Sequence, residues 1–308
     1  MHEANPDIPT SFVAFDTETT GLSPLTDHVL EIAAIRFGLD GSTRAVFERL
    51  VDPGVPIPPA LTAIHGISDT MVRGQPCLET VLDEFIEFIG DAVLVAHNAP
   101  FDVAMLLVPL ARMKDRSRGP GSRPRLSPAG NLVLDTCAMA RRVHPGWPGY
   151  SLGVLARRLG ILHERAHRAL PDVEACRALF LRLLAEVAHP VTIPALIRLN
   201  GSELRFGRAC FPPEAFAGRG ADRDRLVSPG EAFRPAERVW IEYHGGSKGR
   251  HARPVTPITL LRQGRKTFLL ALCHLDGCLK NFRLDRIRRV APGPSPPAAW
   301  RSDEGSRR

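Results

Sequence analysis

The stretch Phe12-Val13-Ala14-Phe15-Asp16-Thr17-Glu18-Thr19-Thr20-Gly21-Leu22 constrains this chain more than any other. Four apolar residues run straight into two acids one residue apart, and a Thr-Thr-Gly turn follows. A short apolar run of this kind predicts a buried strand. On an extended chain residues two apart share a face, so Asp16 and Glu18 project together. Like charges side by side repel and are costly to bury unless a cation sits between them. Carboxylate oxygens are the hard ligands that Mg²⁺ or Mn²⁺ takes. An isolated Asp-x-Glu is more often a strand end where two acids meet solvent, so the rest of the chain decides.

Downstream, Val29–Phe37 reads as a second buried strand, and Asp40-Gly41 turns into a third over Thr43–Val51. A proline-rich loop, 52–59, leads through a short helical piece to His65. Apolar residues at 78, 81, 82, 85, 86 and 89 give a helix closed by Gly90. Val93–His97 is a short strand that turns through Asn98 into a helix running to about Arg112, with Asp102 in its first turn. The segment 112–125 holds six basic residues against one acid and reads as a surface loop. A brief strand, 132–134, ends at Asp135-Thr136; Ser151 caps a helix to Leu159, and a long helix spans Val173–Val187. Strands followed by alternating strands and helices predict an α/β domain with a mixed sheet.

Composition is that of an ordinary globular protein, with 44% hydrophobic and 24% charged residues. No run reaches the 18 or so apolar residues of a membrane span. The N-terminal residues show neither a basic nor an apolar signal region, so a soluble, cytoplasmic protein with no membrane partner is expected. The six cysteines form no C-x₂-C pair and suit reduced, buried thiols better than a disulfide frame or a zinc site. Charge is unevenly spread: residues 1–190 carry 18 Lys/Arg against 22 Asp/Glu, whereas 191–308 carry 22 against 11. A basic domain following an acidic one suggests a polyanionic partner, although basic residues that merely keep a surface soluble give the same count.

Singly, Asp102 and Asp172 read as acids complementing helix N-termini, and His167 as a surface or satisfied core histidine. In order they say more. Asp16-x-Glu18, His97-Asn98-x-x-Phe101-Asp102 and His167-x₄-Asp172 together resemble the DEDDh branch of the DnaQ-like 3′–5′ exonucleases, over about residues 11–188. The resemblance implies an RNase H-like mixed sheet flanked by helices. It also implies a nuclease with two Mg²⁺ (or Mn²⁺) held by Asp16, Glu18, Asp102 and Asp172. Two such ions activate water and stabilise the attacking and leaving oxygens of a phosphodiester, and four carboxylates balance their charge. His167 would be the general base, a task an imidazole can perform at neutral pH. Five positions on a helix turn about 140°, so His167 is expected on the loop before Pro171 and Asp172 at the helix start. Thr17, Thr19, Leu22, His65, His97, Asn98 and Phe101 would contact the terminal nucleotide, with core packing an equal reading for Leu22 and Phe101.

Beyond a Pro/Gly/Arg-rich connector (189–233), the stretches 238–244, 255–261, 267–272 and 279–283 read as strands. Phe282-Arg283-Leu284-Asp285-Arg286-Ile287 and Thr267-Phe268-Leu269, which departs at its first position from the namesake triplet, resemble a WYL domain over about 234–291. That implies a small SH3-like β domain binding nucleic acid or a nucleotide-like ligand through Arg253, Arg283 and Arg286, with Tyr243 offering a stacking face. Pairing of Asp285 with a neighbouring arginine is the structural alternative. The segments 1–10 and 292–308 are expected to be tails, the latter disordered. Two functions follow. One is a metal-dependent exonuclease on single-stranded 3′ ends, DNA more than RNA, in repair, proofreading or turnover, with a DNA polymerase or replication/repair assembly as prospective partner and a homodimer left open. The other is a regulatory nucleic-acid-binding protein that senses a ligand through its WYL-like part.

Overall fold

The computed structural model describes residues 11–24, 26–116, 130–163, 167–187, 191–206, 238–244, 251–263 and 265–292, with Pro9 and Trp300. The chain divides into two compact units, Met1–Arg208 and Ala209–Arg308.

The first unit is built on a six-stranded sheet in the order β3-β2-β1-β4-β5-β6. Its strands are β1 (Phe12–Thr19), β2 (Val29–Phe37), β3 (Thr43–Leu50), β4 (Val93–Ala96), β5 (Asn131–Asp135) and β6 (Leu204–Phe206). The strands β1, β2 and β3 form an antiparallel meander. β4 and β5 run parallel to β1, and β6 pairs antiparallel with β5. The sheet is therefore mixed, as expected. Helices are α1 (Pro59–His65), α2 (Asp69–Val72), α3 (Leu78–Ile89), α4 (Pro100–Arg116), α5 (Thr136–Val143), α6 (Leu152–Leu159), α7 (Ala169–Ala185) and α8 (Ile193–Asn200).

One core lies between the sheet and α5, α6 and α7, where Phe12, Ala14, Ile35 and Phe37 meet Val173, Cys176, Leu179 and Phe180. Phe12 stacks on Phe37 with centroids 5.6 Å apart, and Phe180 packs against both. Burying each such ring contributes roughly 1.5–3 kcal/mol. The other face of β1 carries Phe15, packed on Phe85 of α3 at 5.7 Å. Alternation along β1 thus divides its side chains between two helical layers.

Several boundaries differ from the sequence reading. Helix α7 begins at Ala169 rather than Val173, because Pro171 falls in its first turn, where a missing N–H removes no helical bond. Helix α4 runs on to Arg116 through Pro109, beyond the predicted stop at Arg112; the remainder of the basic loop, 117–129, lies outside the described residues. The predicted connector opens with structure: Thr192 caps α8 by accepting from the Ala195 N–H at 3.3 Å, and β6 completes the first sheet. Its remaining residues, 207–233, fall outside the description, as does the tail apart from Pro292 and Trp300.

In the second unit β7 (Val239–Tyr243), β8 (His251–Gln263), β9 (Lys266–Cys273), β10 (Cys278–Arg283) and β11 (Ile287–Pro292) form an antiparallel sheet. Its order is β10-β9-β8-β7-β11. β11 was not expected; it follows a one-turn 3₁₀ segment, Leu284–Arg286, and carries two adjacent arginines, Arg288 and Arg289, between Ile287 and Val290. The core is Val239, Ile241, Val255, Leu269, Phe282, Ile287 and Val290. No helix among the described residues is long and apolar enough to cross a membrane. The described cysteines are free: Cys137, Cys176 and Cys273 are buried as expected, whereas Cys77 and Cys278 are exposed.

Candidate active site

On β1, Phe12 and Ala14 face the α7 core, so Asp16 and Glu18 continue the same row. Pairing of β1 with β4 extends only from Phe12↔Val93 to Ala14↔Val95. Beyond that point β4 turns away through Asn98, whose φ of 62° lets the chain enter α4 at once. The row of carboxylates therefore emerges at the carboxyl ends of parallel strands, where open α/β sheets commonly hold ligands. Asp172, in the first turn of α7, arrives over the same spot. One carboxylate oxygen from each of Asp16, Glu18 and Asp172 lies within 4.8 Å of those of the other two.

This crowding has an electrostatic consequence. Burial, reinforced by Asp102, Asp172, Glu18 and Glu31, raises the Asp16 carboxyl well above its ordinary range. Glu18 is pushed up to about 8, first by burial and then by Asp172, Glu31 and Asp102, with Arg168 opposing. Three converging carboxylates, two of them with pKa values raised by burial and mutual repulsion, are a donor set suited to a hard divalent cation. Glu18 ordinarily releases its proton near 4.5. Between about pH 4.5 and 8 the folded protein therefore retains a proton that the unfolded chain has released. Stability of the metal-free protein should accordingly fall as pH rises through that window. Added Mn²⁺ should raise the melting temperature most at the upper end, by an increment worth about 2.7 kcal/mol at 100 times its Kd. Glu18→Gln should flatten the decline and remove most of the increment. A melting temperature level across the window in wild type, measured by calorimetry with and without Mn²⁺, would count against this account.

Asp102 approaches from the opposite face of β1. It is buried, and one oxygen accepts from both the Thr17 N–H (3.1 Å) and the Thr17 hydroxyl (2.7 Å). Burial pushes its carboxyl up to about 7, against those two bonds. It stands beside the three-carboxylate cluster rather than within it. Thr17, expected to contact nucleotide, spends its donors on Asp102 because it lies on the Phe15 face of β1, where α4 begins. Thr19 is likewise buried, and its hydroxyl donates to the Gly21 carbonyl at 2.7 Å.

The two histidines before α7 are placed differently. His167 is exposed on the loop, as expected, with φ at 68°, and its N–H donates to Asp172 at 3.3 Å. His163, which the sequence reading passed over, bonds through Nε2 to the other Asp172 oxygen and is nearly buried. No periodicity or motif marked it.

His97 is held by the Thr136 hydroxyl at Nδ1 and the Tyr150 carbonyl at Nε2, both 2.9 Å. Burial pulls its pKa down to about 4, so the ring is neutral. With both nitrogens occupied, His97 ties β4 to α5 and to the loop before α6 instead of offering a donor to substrate. Asn98 is exposed, and its N–H donates to Asp135 at 2.9 Å. His65 is buried at the end of α1, its Nδ1 accepting from the Ile67 N–H at 3.0 Å. Its proton therefore lies on Nε2, which has no partner among the described residues. Leu22 is 82% exposed beside the carboxylates' turn, and Phe101 is half-buried at the start of α4.

The C-terminal candidates are each engaged differently. Tyr243 is buried edge-on against Phe282 at 5.2 Å, and its hydroxyl accepts from the Arg283 N–H. Its ring serves the core instead of presenting a stacking face. Arg283 pairs with Asp285, the structural alternative raised above. Arg253 is buried 3.6 Å from Asp276, and Arg286 is exposed.

Comparison with known proteins agrees with this layout. Residues 230–292 match the WYL domain model. The DNA polymerase III PolC-type protein of Halalkalibacterium halodurans is 38% identical over 184 residues, 60% of this chain. A DNA polymerase III subunit epsilon-like protein of Rhodobacter capsulatus is 44% identical over 179 residues, 56% of the chain. The chain covers only 12% and 24% of those relatives' own lengths. Among solved structures, the zinc-bound E. coli exonuclease I complex with single-stranded DNA superposes with a TM-score of 0.52 at 15% identity. That match covers 97% of this chain and 68% of the other, and it speaks for the fold. The RNase T exonuclease model matches residues 13–180, more than half of the chain, and the protein belongs to that exonuclease family.

Proposed function

We propose that this protein hydrolyses phosphodiester bonds from the 3′ end of single-stranded nucleic acid, with DNA the preferred strand. The observation that carries this is the convergence of Asp16, Glu18 and Asp172 within 4.8 Å at the open end of β1. Asp16, Glu18 and Asp172 would hold one divalent cation, Mg²⁺ or Mn²⁺, and Asp16 with Asp102 a second. When bound, such ions supply charge neutralisation around the scissile phosphate and a more acidic attacking water.

The chain's own groups do the rest. His167, exposed and next to Asp172, accepts the proton of the attacking water. His163 cannot share that task while its Nε2 is engaged by Asp172. The His65 Nε2–H, without a partner among the described residues, supplies a donor for the terminal sugar, and Leu22, projecting from its turn, packs on the terminal base. Preference for DNA rests on the relatives, which are named for DNA polymerase III. A replication or repair assembly is the partner those relatives suggest.

In this reading the first unit is an RNase H-like core and the second an SH3-like module that gathers nucleic acid through its basic surplus, with exposed Arg286 at its surface. One observation favours a second reading: the WYL match points to ligand sensing, with the nuclease as output. Digestion of 3′- and 5′-labelled DNA and RNA oligonucleotides with Mg²⁺ or Mn²⁺ tests both. Release of labelled 3′-terminal mononucleotides from DNA, abolished by EDTA, is the expected outcome. Retained binding without cleavage of either strand would turn the assignment to the regulatory reading.

A further inference from the structure

Glu31 is the third residue of β2, a strand whose one other charged residue is Arg36 near its far end. Its side chain is 1% exposed, and it stands directly opposite Glu18 in the β1–β2 register. An isolated carboxylate in such a place costs several kcal/mol, so its partners matter. One oxygen accepts from Arg168 Nη2 at 2.6 Å. The other accepts from Arg168 Nε at 3.1 Å and from the Ala169 N–H at 3.0 Å. All three donors belong to the N-terminus of α7.

The geometry is a two-pronged fork combined with a helix cap delivered from a neighbouring strand. Arg168, the N-cap of α7, makes no side-chain cap bond to its own helix. The Glu31 carboxylate takes that place and puts negative charge at the positive end of the helix. It also neutralises Arg168 by a fork–fork pairing that a point charge would not reproduce. Turned toward Arg168 and Ala169 by three hydrogen bonds, Glu31 stays out of the three-carboxylate cluster even though it borders it.

The residue immediately before this anchor is His167, held in the left-handed region at φ 68°. A non-glycine residue keeps such a conformation only where its surroundings over-determine it, at a cost on the order of 1–3 kcal/mol. On one side the His167 N–H is tied to Asp172; on the other, the next residue is clamped to β2. We propose that Glu31 is a positioning residue that acts through Arg168 to set where the His167 imidazole stands relative to the carboxylates. The catalytic part of this inference rests on the nuclease reading above; the positional part does not.

The test uses the full chain. Glu31→Gln keeps the shape and removes the charge, and Arg168→Lys keeps the charge and removes the fork. Each should lower kcat roughly tenfold to 10²-fold, the range that misplacement of a catalytic group by an ångström reaches, while KM stays within about threefold and Mn²⁺ affinity by titration calorimetry changes by a similarly small factor. In ¹³C-histidine-labelled protein, the His167 Cε1–H resonance, identified by its disappearance in His167→Ala, should shift or broaden in both variants. Introduced into His167→Ala, Glu31→Gln should have no further effect on kcat, because groups acting in series do not add.

An unchanged kcat and His167 resonance in Glu31→Gln would overturn the proposal. A full, repeated loss in the His167→Ala background would also overturn it, since Glu31 would then act by another route. If Glu31→Gln does not fold, Arg168→Lys carries the same outcomes. Should wild type prove inactive on nucleic acid, the nuclease reading fails, and the resonance alone still decides whether Glu31 places His167.

Discussion

Replacing Asp16 by alanine is expected to reduce 3′-end release by at least about 10³-fold, since cation-borne charge stabilisation is worth several kcal/mol and each 1.36 kcal/mol is a factor of ten. Asp16 has the most central position of the carboxylates: its carboxyl is raised by Asp102, Asp172, Glu18 and Glu31 together, beneath the larger effect of burial. Removing it takes away a carboxylate that interacts with Glu18, Asp102, Asp172 and Glu31. The same substitution relieves like-charge crowding, so the metal-free variant should melt no lower than wild type near pH 8. That combination separates loss of a ligand from loss of fold. Rates would be measured on 3′-labelled single-stranded DNA at saturating Mn²⁺. A variant within tenfold of wild type would remove Asp16 from the centre of the reaction.

Second in size is His167→Ala, for which kcat should fall by about 10²–10⁴-fold, the usual contribution of a general base, with KM little changed. The structure separates this histidine from its neighbours. His163 is spent on Asp172, His97 is enclosed with both nitrogens bonded, and His65 is buried with Nδ1 occupied. Only His167 among these four is exposed. Single-turnover kinetics isolate the chemical step from product release. Full single-turnover rates in His167→Ala would show that the proton leaves by another path.

Much of the site could be read without coordinates because its residues fall on regular elements. Asp16 and Glu18 belong to an extended run, where a spacing of two necessarily means one face. Asp102 and Asp172 sit in first turns of helices marked by apolar periodicity. The residues that escaped reading owe their roles to contacts across more than a hundred positions, or to none that a local pattern records. Glu31 and Arg168 are 137 residues apart. The sole local sign is the charge itself, an acid inside the largely buried strand Val29–Phe37. Thr17 and His97 were assigned to substrate because motif order cannot tell a side chain facing the cleft from one that braces the wall behind it. Nor can sequence show that the Tyr243 ring lies against Phe282 in the core. Helix α8 was hidden by the Pro- and Gly-rich composition around it, although Pro194 in a first turn is compatible with a helix.

The sequence by itself determined the order of the secondary structure through most of the first unit, the shared face of Asp16 and Glu18, the loop position of His167 and the presence of a basic β-rich unit after the first. These follow from short-range periodicity and from backbone preferences that act over a few residues. Only the tertiary structure decided that Asp172 closes on Asp16 and Glu18 while Asp102 stands behind Thr17. It alone placed His163 on Asp172 and committed Glu31 to the start of α7. Those pairings depend on strand order and on where β4 leaves β1. Both are set by how the whole core packs, which no local stretch of chain encodes.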